Sequence, residues 1–170
     1  MASGKTTVAD ALQAATGRPV VHLDAAVAAR AGATVAEIFA RDGEPTFRAL
    51  ELAALSGLDA GRNLVVDTGG GIIETPAAVE LLRERGVVIW LDAPWETHRS
   101  RLKAAEAGGR PLVERLGWAG LEDLFRRRRR LYAAAADFRL TATASEPELL
   151  ARTAMLRSLV WSRRRPELRR

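Results

Sequence analysis

The chain opens Met1-Ala2-Ser3-Gly4-Lys5-Thr6-Thr7, and its Gly4-Lys5-Thr6 triplet matches the second half of the phosphate-binding pattern G-x-x-x-x-G-K-[ST]. In such a loop, successive backbone N–H groups surround phosphate oxygens, the lysine reaches the outer phosphates, and the hydroxyl binds Mg²⁺. The following helix points the positive end of its dipole at the same anions. The first glycine of the pattern would lie two positions before Met1, and a GKT triplet also arises by chance in ordinary N-termini.

A second stretch, Asp67-Thr68-Gly69-Gly70-Gly71, follows the apolar run Leu64–Val66. Glycines at the carboxyl end of a strand allow the backbone to approach a ligand closely. Ligands of open α/β sheets bind at that edge of the sheet. A flexible turn is the alternative, but a turn seldom needs three glycines in a row. Together with the first stretch, this one favours a ligand-binding loop.

Short β-branched runs alternate with longer helical patterns along the whole chain. This alternation predicts a three-layer α/β fold, in which helices cover both faces of a parallel sheet. The predicted strands are Val20–Leu23, Leu64–Asp67, Val87–Leu91 and Phe138–Leu140. Capping boxes predict that helices begin at Thr34, with Glu37, and at Ser145, with Glu148. Pro45 and Thr75-Pro76 are typical of the first turn of a helix, and Gly86 is typical of a helix end.

Length and composition indicate one globular domain with a basic net charge. The 170 residues, 48% of them apolar, suffice for a single core, and the absence of cysteine excludes disulfides and thiolate metal sites. The net charge of +5 suits an enzyme with polyanionic substrates, although a nucleic-acid binder is an alternative. No apolar run approaches the roughly 20 residues that span a bilayer, and no signal pattern opens the chain, so we predict a cytoplasmic protein.

Taken in order, the quoted stretches resemble the shikimate kinase family over Met1 to about Leu140. That family has a phosphate-binding loop, a D-x-D segment, an F-R-x-x-E helix, a G-G-G turn, a lid with R-P-L, and an arginine four residues before a tyrosine. The matching segments are Ser3-Gly4-Lys5-Thr6, His22-Leu23-Asp24, Phe47-Arg48-Ala49-Leu50-Glu51, Gly69-Gly70-Gly71, Arg110-Pro111-Leu112, and Arg128 with Tyr132. Each piece is weak alone, but their shared order and spacing are specific.

The resemblance implies an acceptor site for shikimate. Asp24 would bind a shikimate hydroxyl and help to accept its proton, which is catalytic work for a carboxylate. Arg48 and Arg128 would bind the shikimate carboxylate, because a guanidinium can bind two oxygens at once. Gly70 and Gly71 would present backbone donors to the substrate or the γ-phosphate.

The resemblance also implies a site for ATP and Mg²⁺. Ser3, Gly4, Lys5, Thr6 and Thr7 would surround the nucleotide phosphates, with Lys5 as a catalytic cation and Thr6 on the metal. Arg101 would stack on adenine. Arg110 would close over the transferring phosphoryl group from a mobile lid at about residues 104–117, and we predict a single domain over residues 1–161 with a basic tail at 162–170.

Two departures from the family pattern concern the metal. His22 stands where the family has the first aspartate of D-x-D, which helps to hold Mg²⁺ through water. Asp67 stands where the family more often has a small residue, at the strand end where other phosphate-loop enzymes place their Mg²⁺-associated carboxylate. We therefore expect that the metal carboxylate has moved from position 22 to position 67.

Several of these residues have plainer interpretations. Asp24 could cap a helix, and Arg48 with Glu51 could be a surface pair worth a few tenths of a kcal/mol. The run Arg126–Arg130 points all around a helix, so only one or two of its members, chiefly Arg128, can face a pocket.

The sequence thus predicts a monomeric kinase that phosphorylates the 3-hydroxyl of shikimate with ATP. A kinase for another small hydroxylated acid such as gluconate, a non-catalytic nucleotide-binding descendant and an arginine-rich nucleic-acid binder are the alternatives. Because Met1 falls inside the phosphate-loop pattern, we also expect the chain as given to lack a first central strand, flanked by the strands ending at Asp24 and Asp67. On that expectation it expresses poorly or binds ATP weakly until some ten upstream residues are restored. The alternative is a true short form, in which the sheet closes up or another chain fills the edge.

Overall fold

Helices and short strands alternate in the computed structural model, which describes residues 2–104, 111–142 and 147–164. Short 3₁₀ turns at Ala60–Arg62 and Ile72–Glu74 flank the second strand. The helices are α1 (Lys5–Thr16), α2 (Leu23–Ala31), α3 (Val35–Ser56), α4 (Pro76–Arg85), α5 (Trp95–Ala104), α6 (Pro111–Ala135) and α7 (Pro147–Arg164). The strands are β1 (Val20–His22), β2 (Val65–Asp67), β3 (Ile89–Asp92) and β4 (Phe138–Thr141).

All four predicted strands form, within one or two residues of their predicted ends. They make two parallel pairs, β1 with β2 and β3 with β4. In the first pair His22 lies beside Asp67, and in the second Asp92 lies beside Thr141. The predicted parallel α/β arrangement is confirmed.

The order of the strands differs from the prediction. We expected a further strand between those that end at Asp24 and Asp67, but β1 and β2 are hydrogen-bonded neighbours. Among the described strands, β1 pairs only with β2, and β3 pairs only with β4. Asp24 also does not end a strand, because β1 stops at His22 and Asp24 lies in the first turn of α2.

Local signals define the helix ends as predicted where the structure describes them. The Thr34 hydroxyl accepts from the Glu37 N–H, and Glu37 accepts from the Thr34 N–H at 2.7 Å, which completes a capping box. Gly43, at φ 78°, breaks α3 into two helical parts, and Pro45 begins the second of them. Pro76 opens α4 and Gly86 ends it. The cap predicted at Ser145 lies outside the described residues.

Helix α1 packs across both pairs of strands. Val8 shares a buried cluster with Leu91 and Leu140 of the β3–β4 pair. The same helix contacts β1 and β2. Separate buried clusters around Leu23 and Val27 join α2, α3 and α4 to the other side of the β1–β2 pair. Both strand pairs therefore pack against the same helix.

The predicted lid and tail are only partly described. Gly117, at φ 61°, interrupts α6 at the predicted end of the lid, and Pro111–Leu116 before it are helical. Residues 105–110 and 165–170 lie outside the description, so the lid, the tail and the domain boundary stay predictions. None of the described helices is long and apolar enough to cross a membrane.

Candidate active site

The segment before α1 forms a tight turn into the helix. Gly4 is the N-cap residue and adopts φ 85°, a left-handed conformation that favours glycine. Its carbonyl accepts from the Val8 N–H at 3.0 Å. Ser3 is buried, and Ser3 and Lys5 line a cavity that extends towards β3. The turn therefore directs the N-terminal dipole of α1 and the Lys5 side chain to the carboxyl edge of the strands.

Thr6 and Asp67 meet at that edge. The Thr6 hydroxyl donates to Asp67 Oδ2 at 2.7 Å. His22 Nδ1 lies 3.2 Å from the same oxygen, and His22 Nε2 lies 3.3 Å from Asp10 Oδ1 on α1. The second oxygen of Asp67 is buried and has no hydrogen-bond partner among the described residues. The structure thus leaves one carboxylate oxygen available beside a hydroxyl, at the residue where we predicted the metal carboxylate.

The glycine loop after β2 packs directly against charged side chains. A Cβ atom placed on Gly69 would lie 2.5 Å from Asp24 Oδ1 and 2.8 Å from Glu51 Oε1. One placed on Gly71 would overlap the Arg48 guanidinium. Glycine at these positions therefore leaves room for a carboxylate and a guanidinium to approach the backbone. The sequence predicted a close approach to this loop but not which groups make it.

Arg48 is held by two carboxylates from its own helix. It bonds Glu51, which is 1% exposed, and donates to Glu44 Oε1 at 2.8 Å. Burial raises the pKa of Glu51 above its ordinary value, although the bond from Arg48 acts against that rise. The interpretation of Arg48 and Glu51 as a surface pair is wrong, since Glu51 is fully enclosed.

Arg128 is the buried member of the arginine run, as predicted. It is 8% exposed and donates two hydrogen bonds to Glu74 Oε2, at 2.6 and 2.8 Å. Arg127 binds the other oxygen of Glu74. Burial acts to raise the pKa of Glu74, but its bonds to Arg128 and Arg127 outweigh that effect and hold the pKa below its ordinary value.

Carboxylates also neutralise the neighbours of Arg128 along the run. Arg126 pairs with Glu122 at 2.6 Å, and Arg129 pairs with Asp92 at 3.0 Å. This pairing argues against the alternative of an arginine-rich nucleic-acid binder, because cations that are already paired contribute little to a phosphate-binding surface.

Tyr132 connects α6 to the glycine loop. Its hydroxyl donates to the carbonyl of Gly70. Burial raises its pKa, and the charges of Arg128, Glu74, Arg48 and Glu51 all act on the hydroxyl. The two arginines predicted to bind a carboxylate are therefore brought to the same loop, from α3 and α6.

Asp24 faces this group from the first turn of α2. Burial raises its pKa; the nearby positive charges of Lys5 and Arg48 act in the opposite direction, and the negative charge of Asp67 adds to the rise. A carboxylate with a raised pKa is a stronger base than an ordinary aspartate. The charges of Lys5, Arg48 and Asp67 thus all act on Asp24.

The remaining predicted site residues are less informative. Arg101 binds backbone carbonyls, Ala2 O at 3.3 Å and Ala142 O at 3.1 Å. Thr7 is exposed on the first turn of α1, and Arg110 lies outside the described residues. Their roles towards a nucleotide stay predictions.

Four residues that were not predicted as site residues also lie at the site: Asp10, Glu51, Glu74 and Tyr132. Tyr132 and Glu51 were part of the quoted motifs, so their spacing from Arg128 and Arg48 was a usable signal. Glu74 gave no such signal, because its partner Arg128 is 54 residues away.

The comparisons with known proteins agree with this geometry. The family model described as Shikimate kinase matches residues 1–158. The chain belongs to the shikimate kinase family. The shikimate kinase of Synechococcus sp. (strain RCC307) is 46% identical over 143 residues, which are 84% of this chain and 72% of the relative. That of Symbiobacterium thermophilum is 43% identical over 141 residues, 82% of this chain and 81% of the relative.

Solved structures of the family share the fold. The shikimate kinase from Acinetobacter baumannii in complex with shikimate is 32% identical to this chain, with a TM-score of 0.85 over 96% of this chain and 89% of its own. The crystal structure of the Aquifex aeolicus enzyme gives a TM-score of 0.75 at 31% identity, over 92% of this chain and 90% of its own. The predicted family, fold class and phosphotransferase class are therefore confirmed.

Proposed function

We propose that this protein transfers the γ-phosphoryl group of ATP to the 3-hydroxyl of shikimate. The observation that carries this proposal is the convergence of Arg48, Arg128 and Asp24 on the glycine loop after β2. Two guanidiniums beside one carboxylate suit an acceptor that carries both a carboxylate and a hydroxyl. The A. baumannii relative, solved with shikimate, supports shikimate as that acceptor.

Asp24 would orient the acceptor hydroxyl and take its proton. As the hydroxyl oxygen bonds to the γ-phosphorus, the bond from that phosphorus to the bridging oxygen of ADP breaks, and the proton passes to Asp24. Burial makes Asp24 a stronger base than an exposed aspartate. Arg48 and Arg128 would hold the acceptor carboxylate and so fix the distance between hydroxyl and phosphate, which is the main demand of phosphoryl transfer.

Lys5 and the backbone N–H groups at the start of α1 would bind the phosphates. The left-handed Gly4 turns the chain so that these donors and the helix dipole face the carboxyl edge of the strands. Arg110 and Arg101 would complete the nucleotide site, from the lid and from α5. Cytoplasmic location and a monomeric state belong to the same proposal.

Thr6 and Asp67 fit a magnesium ion. The buried Asp67 oxygen without a partner and the adjacent Thr6 hydroxyl are oxygen ligands of the kind Mg²⁺ prefers. No group of three or more His, Asp or Glu among residues 2–104, 111–142 and 147–164 forms a metal cage. None is needed, because Mg²⁺ in such sites takes one or two protein ligands and completes its shell with phosphates and water. When bound, it would neutralise charge on the phosphate oxygens.

A coupled assay of ADP release, run with and without shikimate, tests this function. We expect release that depends on shikimate and saturates with it, and no comparable stimulation by gluconate. ADP release that is indifferent to shikimate, or stimulation by gluconate alone, would reject the assignment.

A further inference from the structure

His22 lies between two carboxylates at the carboxyl end of β1. Its Nδ1 is 3.2 Å from Asp67 Oδ2, and its Nε2 is 3.3 Å from Asp10 Oδ1. His22 and Asp67 are register partners at the ends of neighbouring parallel strands, so their side chains project from the same face of the pair. Contacts at both ring nitrogens fix the orientation of the imidazole, with Nδ1 directed at Asp67.

The two carboxylate oxygens of Asp67 have different surroundings. Oδ2 accepts from the Thr6 hydroxyl at 2.7 Å and also faces His22 Nδ1. An ionised carboxylate only accepts hydrogen bonds, so the ring meets Oδ2 with its Nδ1–H. Each carboxylate oxygen offers about two lone pairs, and these two donors occupy both of them on Oδ2. Oδ1 is buried and has no partner within the described residues.

The hydroxyl of Thr6 alone would hold the Asp67 carboxylate only weakly. Rotation about the terminal bond of an aspartate side chain is broad and roughly two-fold, so a single donor leaves the carboxylate free to turn. A second donor on the same oxygen restricts that rotation, because turning then breaks two hydrogen bonds. The side chain of Asp67 is only 9% exposed, so bulk water competes little for its oxygens.

We infer that His22 is a positioning residue, which holds Asp67 Oδ2 together with Thr6 and so reserves Oδ1 for the divalent cation. This role rests on the proposed magnesium site, and it adds which oxygen serves the metal and which residue orients it. It involves no proton transfer and no change in the charge of His22. Residues that hydrogen-bond to a metal ligand set the orientation of that ligand and influence the affinity for the metal.

Two amide replacements of His22 separate the contributions of its ring nitrogens. The amide nitrogen of asparagine lies as many bonds from Cα as Nδ1, and that of glutamine lies as many as Nε2. His22→Asn therefore retains a donor towards Asp67, whereas His22→Gln retains one only towards Asp10. His22→Ala removes both donors, and Asp67→Ala removes the ligand itself. The His22 side chain is 38% exposed, so its replacements should cost little stability.

The affinity for a non-hydrolysable ATP analogue, measured by calorimetry in EDTA and in saturating Mg²⁺ without shikimate, tests this role. We expect the parent and all variants to bind equally in EDTA. Mg²⁺ should increase the affinity of His22→Gln and His22→Ala by roughly two- to fivefold less than that of the parent, the effect of one lost hydrogen bond. The increase for His22→Asn should match the parent within about twofold, and Asp67→Ala should lose most of it.

Equal increases for His22→Asn and His22→Ala, or a full increase for His22→Gln, would overturn the positioning role. A loss of affinity that is the same in EDTA and in Mg²⁺ would show a structural role only and would overturn it as well. If His22→Ala fails to fold, the comparison of His22→Asn with His22→Gln still decides.

Asp67→Ala separates a failure of this role from a failure of the magnesium site. If Asp67→Ala retains the full increase with Mg²⁺, the magnesium site is wrong and His22 has no ligand to position. If Asp67→Ala loses the increase while His22→Ala and His22→Gln keep it, only the role of His22 is wrong. Because shikimate is absent, neither result depends on the identity of the acceptor.

Discussion

Arg48 and Gly71 lie so close that one carbon atom added to Gly71 would occupy the volume of the guanidinium. Arg48 is held in that position by Glu51 and Glu44, which leave it little freedom to retreat. Gly71, the third glycine of the loop, is therefore needed to leave room for Arg48 as much as for the loop backbone itself.

The variant Gly71→Ala should displace Arg48 and weaken the binding of shikimate. Loss of a charge-assisted contact costs about 1.5–3 kcal/mol, which is roughly 10- to 100-fold in Kd. Nucleotide affinity should change little. The matched control is Gly57→Ala, where a Cβ would meet only ordinary contacts, the nearest at 3.5 Å. Equal effects of the two variants on shikimate binding, followed by calorimetry, would contradict the steric explanation.

The variant Arg128→Ala should raise the KM for shikimate at least tenfold and leave the KM for ATP nearly unchanged. Arg126→Ala is its control, because Arg126 lies on the same helix, is largely exposed and pairs with Glu122. We expect Arg126→Ala to behave like the parent protein. If Arg128→Ala weakens ATP and shikimate equally, Arg128 does not belong to the acceptor site.

Replacing Asp67 should change the magnesium requirement more than replacing His22 does. Asp67→Ala removes a carboxylate beside Thr6 and should raise the Mg²⁺ concentration for half-maximal activity by roughly tenfold or more. His22→Ala leaves the contact between Thr6 and Asp67 in place. Mg²⁺-dependent binding of a fluorescent nucleotide provides a readout apart from turnover. Identical Mg²⁺ dependence of the two variants would refute the relocated carboxylate.

As the pH is lowered, activity should begin to fall at a higher pH than it would if Asp24 had the pKa of an ordinary aspartate. The pKa of Asp24 lies above 3.8, chiefly because of burial, and the carboxylate must be ionised to accept a proton. As pH falls through the raised pKa, kcat/KM should decline. Asp24→Asn should lower kcat by about 10²- to 10⁴-fold and remove this acid limb from the pH profile. An unchanged limb in Asp24→Asn would assign it to another group.

Glu74 should stabilise the fold at pH values above the ordinary pKa of glutamate, and this stabilisation should be lost in acid. Its pKa is lower in the folded protein than the ordinary 4.5, so the stabilisation is fully present at neutral pH and disappears as pH falls through the lowered value. Glu74→Gln should therefore lower Tm by a few degrees at pH 7, with a smaller difference from the parent in acid. Glu84→Gln, exposed on α4, is the control. A Tm difference independent of pH would contradict the ion-pair explanation.

The sequence predicted the strands, the capping box at Thr34 and the family, because these depend on local patterns and ordered motifs. It wrongly expected a further strand between those that end at Asp24 and Asp67, because strand order depends on which edges pair, and no local pattern records that. Arg128 was predicted through its spacing from Tyr132, but Glu74 was not. An ion pair between residues 54 positions apart becomes visible only when α6 packs against the turn after β2.

Arg127 and Arg128 bind the two carboxylate oxygens of Glu74, and this pairing has a consequence for the affinity of an acid ligand. A long arginine side chain loses up to about 2 kcal/mol of rotamer entropy when it is immobilised, and a ligand that must impose this order binds more weakly by that amount. Glu74 imposes it during folding, and Glu51 does the same for Arg48. An incoming acid would thus meet two side chains whose freedom has already been lost, so its binding should carry a smaller entropic penalty than the number of arginines suggests.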